Sequence, residues 1–302
     1  MNIHQLTSAV LLGVLAIGAV AAAEDSQDRE PAEYSVRFDL AYKTEGDQSL
    51  LADVYQPAGV VDSRPIVLVV HGGAWMSGDK ALPATYARMF AQHGIAAVSI
   101  NYRLAPAHKF PAQLDDVRAA LAWVHDHAEE NRWDLKRLGL FGYSAGAHLS
   151  CMIAMLDDEP AETVAKTTQL SADDLCWGKL PRPLAVVAGG TPADFRDLPL
   201  DNSLLAYFFG GTRRERPEAY EFGSPAVLVS GGDPPTLFYH GTRDLLVPIA
   251  GAESLFRRQQ KLKIDSEFVR VEGLGHLLSF MDAGARANVL RFMKSHLSPA
   301  AD

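Results

Sequence analysis

Leu138-Gly139-Leu140-Phe141-Gly142-Tyr143-Ser144-Ala145-Gly146-Ala147-His148-Leu149-Ser150-Cys151-Met152 decides the reading of this chain. An apolar run leads into G-x-S-x-G, and a helical-looking stretch leaves it. A serine on a tight strand-to-helix turn is held above the sheet, and the flanking glycines are needed because a Cβ there would crowd neighbouring backbone. The pentapeptide alone would turn up by chance in roughly one chain in ten of this length, so its placement between strand and helix carries the inference. The bland alternative is a structural Gly-Ser-Gly turn. A hydroxyl is a poor nucleophile at its own pKa, so Ser144 predicts a base, an orienting acid and oxyanion donors elsewhere in the chain.

The donors are expected after an earlier apolar run. Pro65-Ile66-Val67-Leu68-Val69-Val70 reads as a strand buried on both faces, and His71-Gly72-Gly73-Ala74-Trp75 follows it. Small residues let main chain approach a substrate, so the amides of Gly73, Ala74 and Ala145 are the expected oxyanion hole. Thr236-Leu237-Phe238-Tyr239-His240 is a further strand, and Gly241-Thr242-Arg243-Asp244 forms the loop at its C-terminal end, the edge where α/β sheets bind ligands. Asp244 is therefore the expected acid; Asp233, the nearest competitor, precedes the strand and should fall at its opposite end. Gly273-Leu274-Gly275-His276 follows a last strand at Glu267 to Val271 and places the base in the loop before the terminal helix. His93, His125, His127 and His296 read as surface or terminal residues and His71 and His148 as support or packing groups, while His108 is a candidate for the pocket wall.

Around these pieces strands alternate with helices. A hairpin spans Ser35 to Ala41 and Leu50 to Tyr55. Helices are expected at Leu82 to His93, Ala112 to Glu129, Ala250 to Lys261 and Ala283 to His296, and further strands at Ile95 to Ile100, Leu138 to Phe141 and Leu184 to Ala188. That rhythm predicts an α/β fold with a mostly parallel central sheet flanked by helices. Leu156 to Leu180 and Thr191 to Pro235 are rich in Pro, Gly and charge, and are expected as cap-like insertions over the site.

A chain of 302 residues, 48% hydrophobic, can bury one large core. Its formal charge of −9 and the lack of a Lys/Arg stripe give no footprint for nucleic acid. Ala9 to Ala23 is an unbroken run of small and aliphatic residues ending Ala21-Ala22-Ala23, so residues 1–23 read as a signal peptide and 24–302 as one catalytic domain. The run is shorter than the roughly 20 residues that span a bilayer, which predicts export to the periplasm or medium and no membrane span after cleavage; an N-terminal anchor is the second reading. Cys151 and Cys176 leave two readings open, one disulfide or, for Cys151, a small buried hydrophobe on a core helix. No C-x-x-C or paired His/Cys spacing suggests zinc.

Several of these segments together resemble the α/β-hydrolase esterases related to hormone-sensitive lipase, and more closely the bacterial feruloyl/acetyl esterases and kynurenine formamidases. The matching pieces are His71 to Trp75, Asn101-Tyr102-Arg103-Leu104-Ala105-Pro106, Phe110-Pro111-Ala112 with Asp116, Gly142 to His148, Ser224-Pro225, Pro234 to Leu237, and Asp244 with Val247-Pro248. The order Ser, Asp, His is also that of this architecture. Lipase relatives often carry three glycines where this chain has Gly72, Gly73 and Ala74 before Trp75, a variant similar to the feruloyl and formamidase branches. Ala147 stands where relatives frequently have glycine, at no cost to a helix. The resemblance implies hydrolysis of a small-molecule or carbohydrate ester by Ser144, His276 and Asp244, with no cofactor or metal. The rivals are an amide hydrolase such as a formamidase, a peptidase similar to the prolyl oligopeptidase group, though without its propeller-sized region, and a non-catalytic binding protein on the same fold.

Overall fold

Strand β3 (Arg64–Val70) lies at the heart of the sheet, and its alternation builds the two layers of the core. Ile66, Leu68 and Val70 point to one side and Val67 and Val69 to the other, as period-2 side chains must. The computed structural model describes residues 33–45 and 48–298. Within them β1 (Tyr34–Glu45) and β2 (Gln48–Pro57) form the expected antiparallel hairpin. The other strands are β4 (Ala96–Ile100), β5 (Trp133–Tyr143), β6 (Ala185–Gly189), β7 (Thr236–Gly241) and β8 (Glu267–Val271). They make an eight-stranded sheet in the order β1-β2-β4-β3-β5-β6-β7-β8. From β4 to β8 along that order every pairing is parallel, whereas β2 joins β4 antiparallel. This is the α/β-hydrolase arrangement.

The helices are α1 (Ala84–Gln92), α2 (Ala112–Asp126), α3 (Ala128–Asn131), α4 (Ala145–Met155), α5 (Ala161–Ala165), α6 (Ala206–Phe209), α7 (Pro217–Phe222), α8 (Pro225–Leu228), α9 (Ile249–Lys261), α10 (His276–Met281) and α11 (Ala283–Leu297). Helices α1 and α11 cover the face of Val67, Phe141, Val187 and Leu237 with Phe90, Val289 and Phe292. On the other face α2, α4 and α9 pack Leu114, Leu149, Met152 and Leu255 against Leu68, Leu140, Val186 and Phe238. Because the strands from β4 to β8 run the same way, the residues that follow β3, β5, β7 and β8 gather at one edge. His71, Ser144, Asp244 and His276 all stand there.

Three expectations change in detail. The helix expected over Ala112 to Glu129 breaks at His127 into α2 and α3. Strand β5 begins at Trp133, five residues before the apolar run, since Trp133 pairs with Arg64 across an irregularity. His276 stands not in a loop but at the first position of α10, a short helix whose buried side carries His276 and Ser279. Cys151 and Cys176 are both free, so no disulfide forms; Cys151 is buried in the core and burial raises its thiol pKa. The expected leader at residues 1–23 lies outside the described residues. No helix among those residues is long and apolar enough to cross a membrane, and no group of three or more potential metal ligands occurs among them.

Asp233 sits at the far edge, before β7, as its position implies. Its Oδ2 accepts the Ser230 amide at 3.1 Å, and Oδ1 is buried with no partner among the described residues. Burial pushes its carboxyl up to about 7. A pKa raised in the folded state means that stability is full below the ordinary carboxyl range and lost as pH rises through about 7. Asp233→Asn should therefore raise Tm by roughly 2–4 °C at pH 8 and change it little at pH 4, as thermal unfolding at the two pH values would show.

Candidate active site

Ser144 occupies the turn between β5 and α4 at φ 55°, ψ −120°, a conformation that side chains rarely adopt. The two motif glycines explain how it is reached. A Cβ on Gly142 would stand 2.2 Å from the Gly146 carbonyl carbon, and one on Gly146 only 2.1 Å from the Val70 carbonyl oxygen. Both obstacles are main chain, so neither can swing away. Gly146→Ala is expected to cost about 3 kcal/mol or more through forced overpacking, a fall in Tm of roughly 6–12 °C. Thermal unfolding of the purified variant checks this.

The Gly72-Gly73 loop runs against this turn. A Cβ on Gly72 would meet the Tyr143 carbonyl oxygen at 2.8 Å and Ser144 Cβ at 3.3 Å. Gly73, Ala74 and Trp75 all have positive φ, at 123°, 53° and 58°. Among the described residues the amides of Gly73, Ala74 and Ala145 donate to no acceptor, whereas the Gly73 carbonyl accepts from Met76 and Ser77. Ala145 is the first residue of α4, where an amide has no partner within its own helix. His71 is buried beneath, stacked on Tyr102 at 4.2 Å, with Nδ1 2.7 Å from the Gly72 carbonyl oxygen.

Asp244 and His276 are joined directly: His276 Nδ1–H donates to Asp244 Oδ2 at 2.6 Å. That bond fixes the tautomer, leaving the Nε2 lone pair free to accept a proton. The carboxylate is itself held, because Oδ1 accepts the amides of Leu246 at 3.0 Å and Val247 at 2.8 Å. Tyr143, the second residue of the turn motif, donates its hydroxyl proton to the His276 carbonyl and lies 2.8 Å from Ser279 Oγ, which ties α10 to β5. The Ser144 hydroxyl forms no hydrogen bond among the described residues, and the adjacent pair Gly189-Gly190 is what both Ser144 and His276 lie against. The Ser144 amide donates to the Gly189 carbonyl at 2.7 Å, and a Cβ on Gly190 would stand 2.9 Å from His276 Cε1. In structures without substrate, hydrogen bonds between a nucleophile and its base are often long and tighten only when substrate binds.

Two residues of the site escape sequence reasoning. His240 is fully buried, donates from Nε2 to the Val247 carbonyl at 2.8 Å, and sets the same nitrogen 3.2 Å from Asp244 Oδ2. Burial lowers its pKa. The only signal in the sequence was its place at the end of β7, four residues before Asp244. The other is Tyr143, which the motif treats as any residue. His108 is half-buried, and its side chain makes no hydrogen bond among the described residues, so nothing joins it to the pair at His276. The quoted segments Asn101–Pro106 and Asp116 prove to be structural: the Asp116 carboxylate accepts the Arg103 amide at 2.9 Å and its guanidinium, anchoring that loop to α2. A cleft of about 720 Å³ lined by Lys136, Lys179, Arg182 and Asp233 opens at the opposite edge of the sheet and contains none of these groups.

Residues 52–273 match the family model BD-FAE. Among curated proteins, the chain is 28% identical over 248 residues to the esterase LipC of Mycobacterium tuberculosis (strain ATCC 25618 / H37Rv), covering 80% of this chain and 59% of that protein. It is 37% identical over 142 residues to the carboxylesterase NlhH of Mycobacterium tuberculosis (strain CDC 1551 / Oshkosh), covering 45% of this chain and 44% of that one. The chain thus spans about half the length of these relatives. Among solved structures, a truncated carbohydrate esterase from gut microbiota superposes with a TM-score of 0.76 at 22% identity, covering 90% of this chain and 99% of the other. At that identity the likeness shows the fold.

Proposed function

The chain belongs to the BD-FAE family, and from that premise we propose that it is a serine hydrolase of carboxylic esters, residues 24–302 forming one catalytic domain. Ser144 attacks the ester carbonyl and the Nε2 of His276 accepts its proton. Asp244 holds the imidazole and stabilises its charged form. The amides of Gly73, Ala74 and Ala145 receive the developing oxyanion, one such donor being typically worth about 3 kcal/mol of barrier. His276 then protonates the leaving alcohol, and water releases the acyl group by the reverse sequence. The observation that carries this reading is the 2.6 Å bond from His276 Nδ1 to a carboxylate already fixed by two amides, at the sheet edge where Ser144 stands in its strained turn.

The substrate class we propose is short-chain, aryl or carbohydrate esters. LipC and NlhH are named for ester hydrolysis, and Ala74-Trp75 is the variant that also resembles the formamidase branch. A panel of nitrophenyl esters of rising chain length, acetylated xylan, methyl ferulate and N-formylkynurenine tests this. Turnover of esters with little of the formyl amide is expected; turnover of the formyl amide alone would replace the ester reading with the amide one. Export with cleavage after Ala23 is part of the same proposal, and the mass of the exported protein should correspond to a chain starting at Glu24; an intact Met1 in the exported fraction would refute the cleavage, and absence of the protein from that fraction would refute export.

A further inference from the structure

We propose that His148 is a positioning residue that sets the oxyanion amides by accepting the indole N–H of Trp75 while donating to the carbonyl of Gly223, in the Thr191 to Pro235 segment. The proposal rests on the acyl-transfer reading of Ser144. Its starting point is the strain of the loop: Ala74 and Trp75 at φ 53° and 58° each lie in the left-handed region that side chains disfavour. Something must hold the main chain there. The Ala105 amide donates to the Trp75 carbonyl at 2.8 Å, and Tyr207 donates its hydroxyl to the Ala74 carbonyl at 2.8 Å. The Trp75 ring stacks on Phe208 at 4.2 Å, and its Nε1–H reaches His148 Nδ1 at 3.2 Å.

His148 can accept that proton in only one state. Its Nε2 stands 2.7 Å from the Gly223 carbonyl oxygen, an acceptor only, so Nε2 carries the hydrogen and Nδ1 keeps a lone pair for the indole. The imidazole is fully buried and burial pushes its pKa down to about 4, so it is neutral in the working range. The same residue donates its own amide to the Ser144 carbonyl at 3.0 Å, through the first turn of α4. One side chain therefore links the nucleophile's helix, the oxyanion loop and the residue that follows α7. Phe195 packs edge-on against both Trp75 and His148, at 6.0 and 5.4 Å between ring centres, and both of those residues are buried. A buried indole N–H without an acceptor is destabilising, which the loop would relieve by moving.

A double-mutant cycle tests this with Trp75→Phe, His148→Phe, both together, and His148→Gln, whose amide can accept and donate as the imidazole does. The readouts are kcat and KM on one nitrophenyl ester and the affinity of an arylboronic acid, which adds to serine and places an oxygen among the oxyanion donors. Each Phe variant is expected to lower kcat roughly 10- to 100-fold, with the double variant no worse than the worse single one, as for two residues acting through one bond. KM should stay within about threefold while boronate affinity falls in step with kcat, the pattern of an interaction made in the transition state. His148→Gln should recover most of the loss. Additive losses, a loss confined to KM, or boronate affinity unchanged while kcat falls would overturn the proposal. Should His148→Phe not fold, Trp75→Phe leaves His148 in place and carries the same expectation; wild-type kcat there sinks it. Ser144→Ala is run alongside: turnover retained in that variant would defeat the acyl-transfer reading, whereas loss there with an additive cycle defeats the role of His148 alone.

Discussion

Replacing Ser144 with alanine should lower kcat by roughly 10⁶-fold, the scale on which loss of a triad nucleophile acts. The protein should remain folded, because the strain of this turn is supported by its surroundings and not by the hydroxyl. Gly142 and Gly146 provide the room, the Ser144 amide is held by the Gly189 carbonyl, and the hydroxyl itself makes no hydrogen bond among the described residues. The Tm should accordingly stay within a few degrees of wild type. Kinetics on a nitrophenyl ester with thermal unfolding of the same sample check both halves, and turnover above about one hundredth of wild type in a pure preparation would exclude Ser144 as nucleophile.

Asp244→Asn should lower kcat by roughly 10⁴-fold near neutral pH, and the reason is geometric. The Leu246 and Val247 amides require an oxygen at the Oδ1 position. The asparagine NH2 is then forced to the position of Oδ2, facing His276 Nδ1 at 2.6 Å and His240 Nε2 at 3.2 Å. Two donors cannot share that contact with an amide N–H, so His276 must turn its hydrogen to Nε2 and can no longer accept the serine proton. KM should change little, since the carboxylate need not touch substrate. A variant with near-normal kcat would mean that Asp244 does not orient the base. Stability should fall modestly as well, because His240 is left facing a donor in a buried place.

How much of this was legible in the sequence depends on how local the signal was. Strands such as Pro65 to Val70 are buried on both faces, so an unbroken aliphatic run was enough to find them. The start of β5 was hidden because Asp134, Lys136 and Arg137 are polar residues lying in the irregularity between the Trp133–Arg64 and Leu138–Ile66 pairs, so no apolar run reaches back to Trp133. The break at His127 was hidden for a different reason: its imidazole bonds back to the Trp123 carbonyl at 2.8 Å, a local choice with no breaker residue to announce it. Ser144, Asp244 and His276 could each be placed by the strand they follow, whereas His240 could not, because its partner is defined only once the Asp244 to Val247 loop turns back. Trp75 and His148 are 73 positions apart, so their contact exists only in the assembled fold. The short helix α10 was missed because Leu277, Leu278 and Met281 are exposed, giving an apolar run with no buried stripe of its own.

The most direct test of the central claim is covalent titration with a fluorophosphonate ester followed by peptide mass spectrometry. One equivalent should abolish turnover in proportion to labelling, with the adduct on Ser144 alone and none formed by the His276→Ala variant at the same rate. Full esterase activity in protein that carries the adduct at Ser144, or inactivation with the label on another residue, would contradict it.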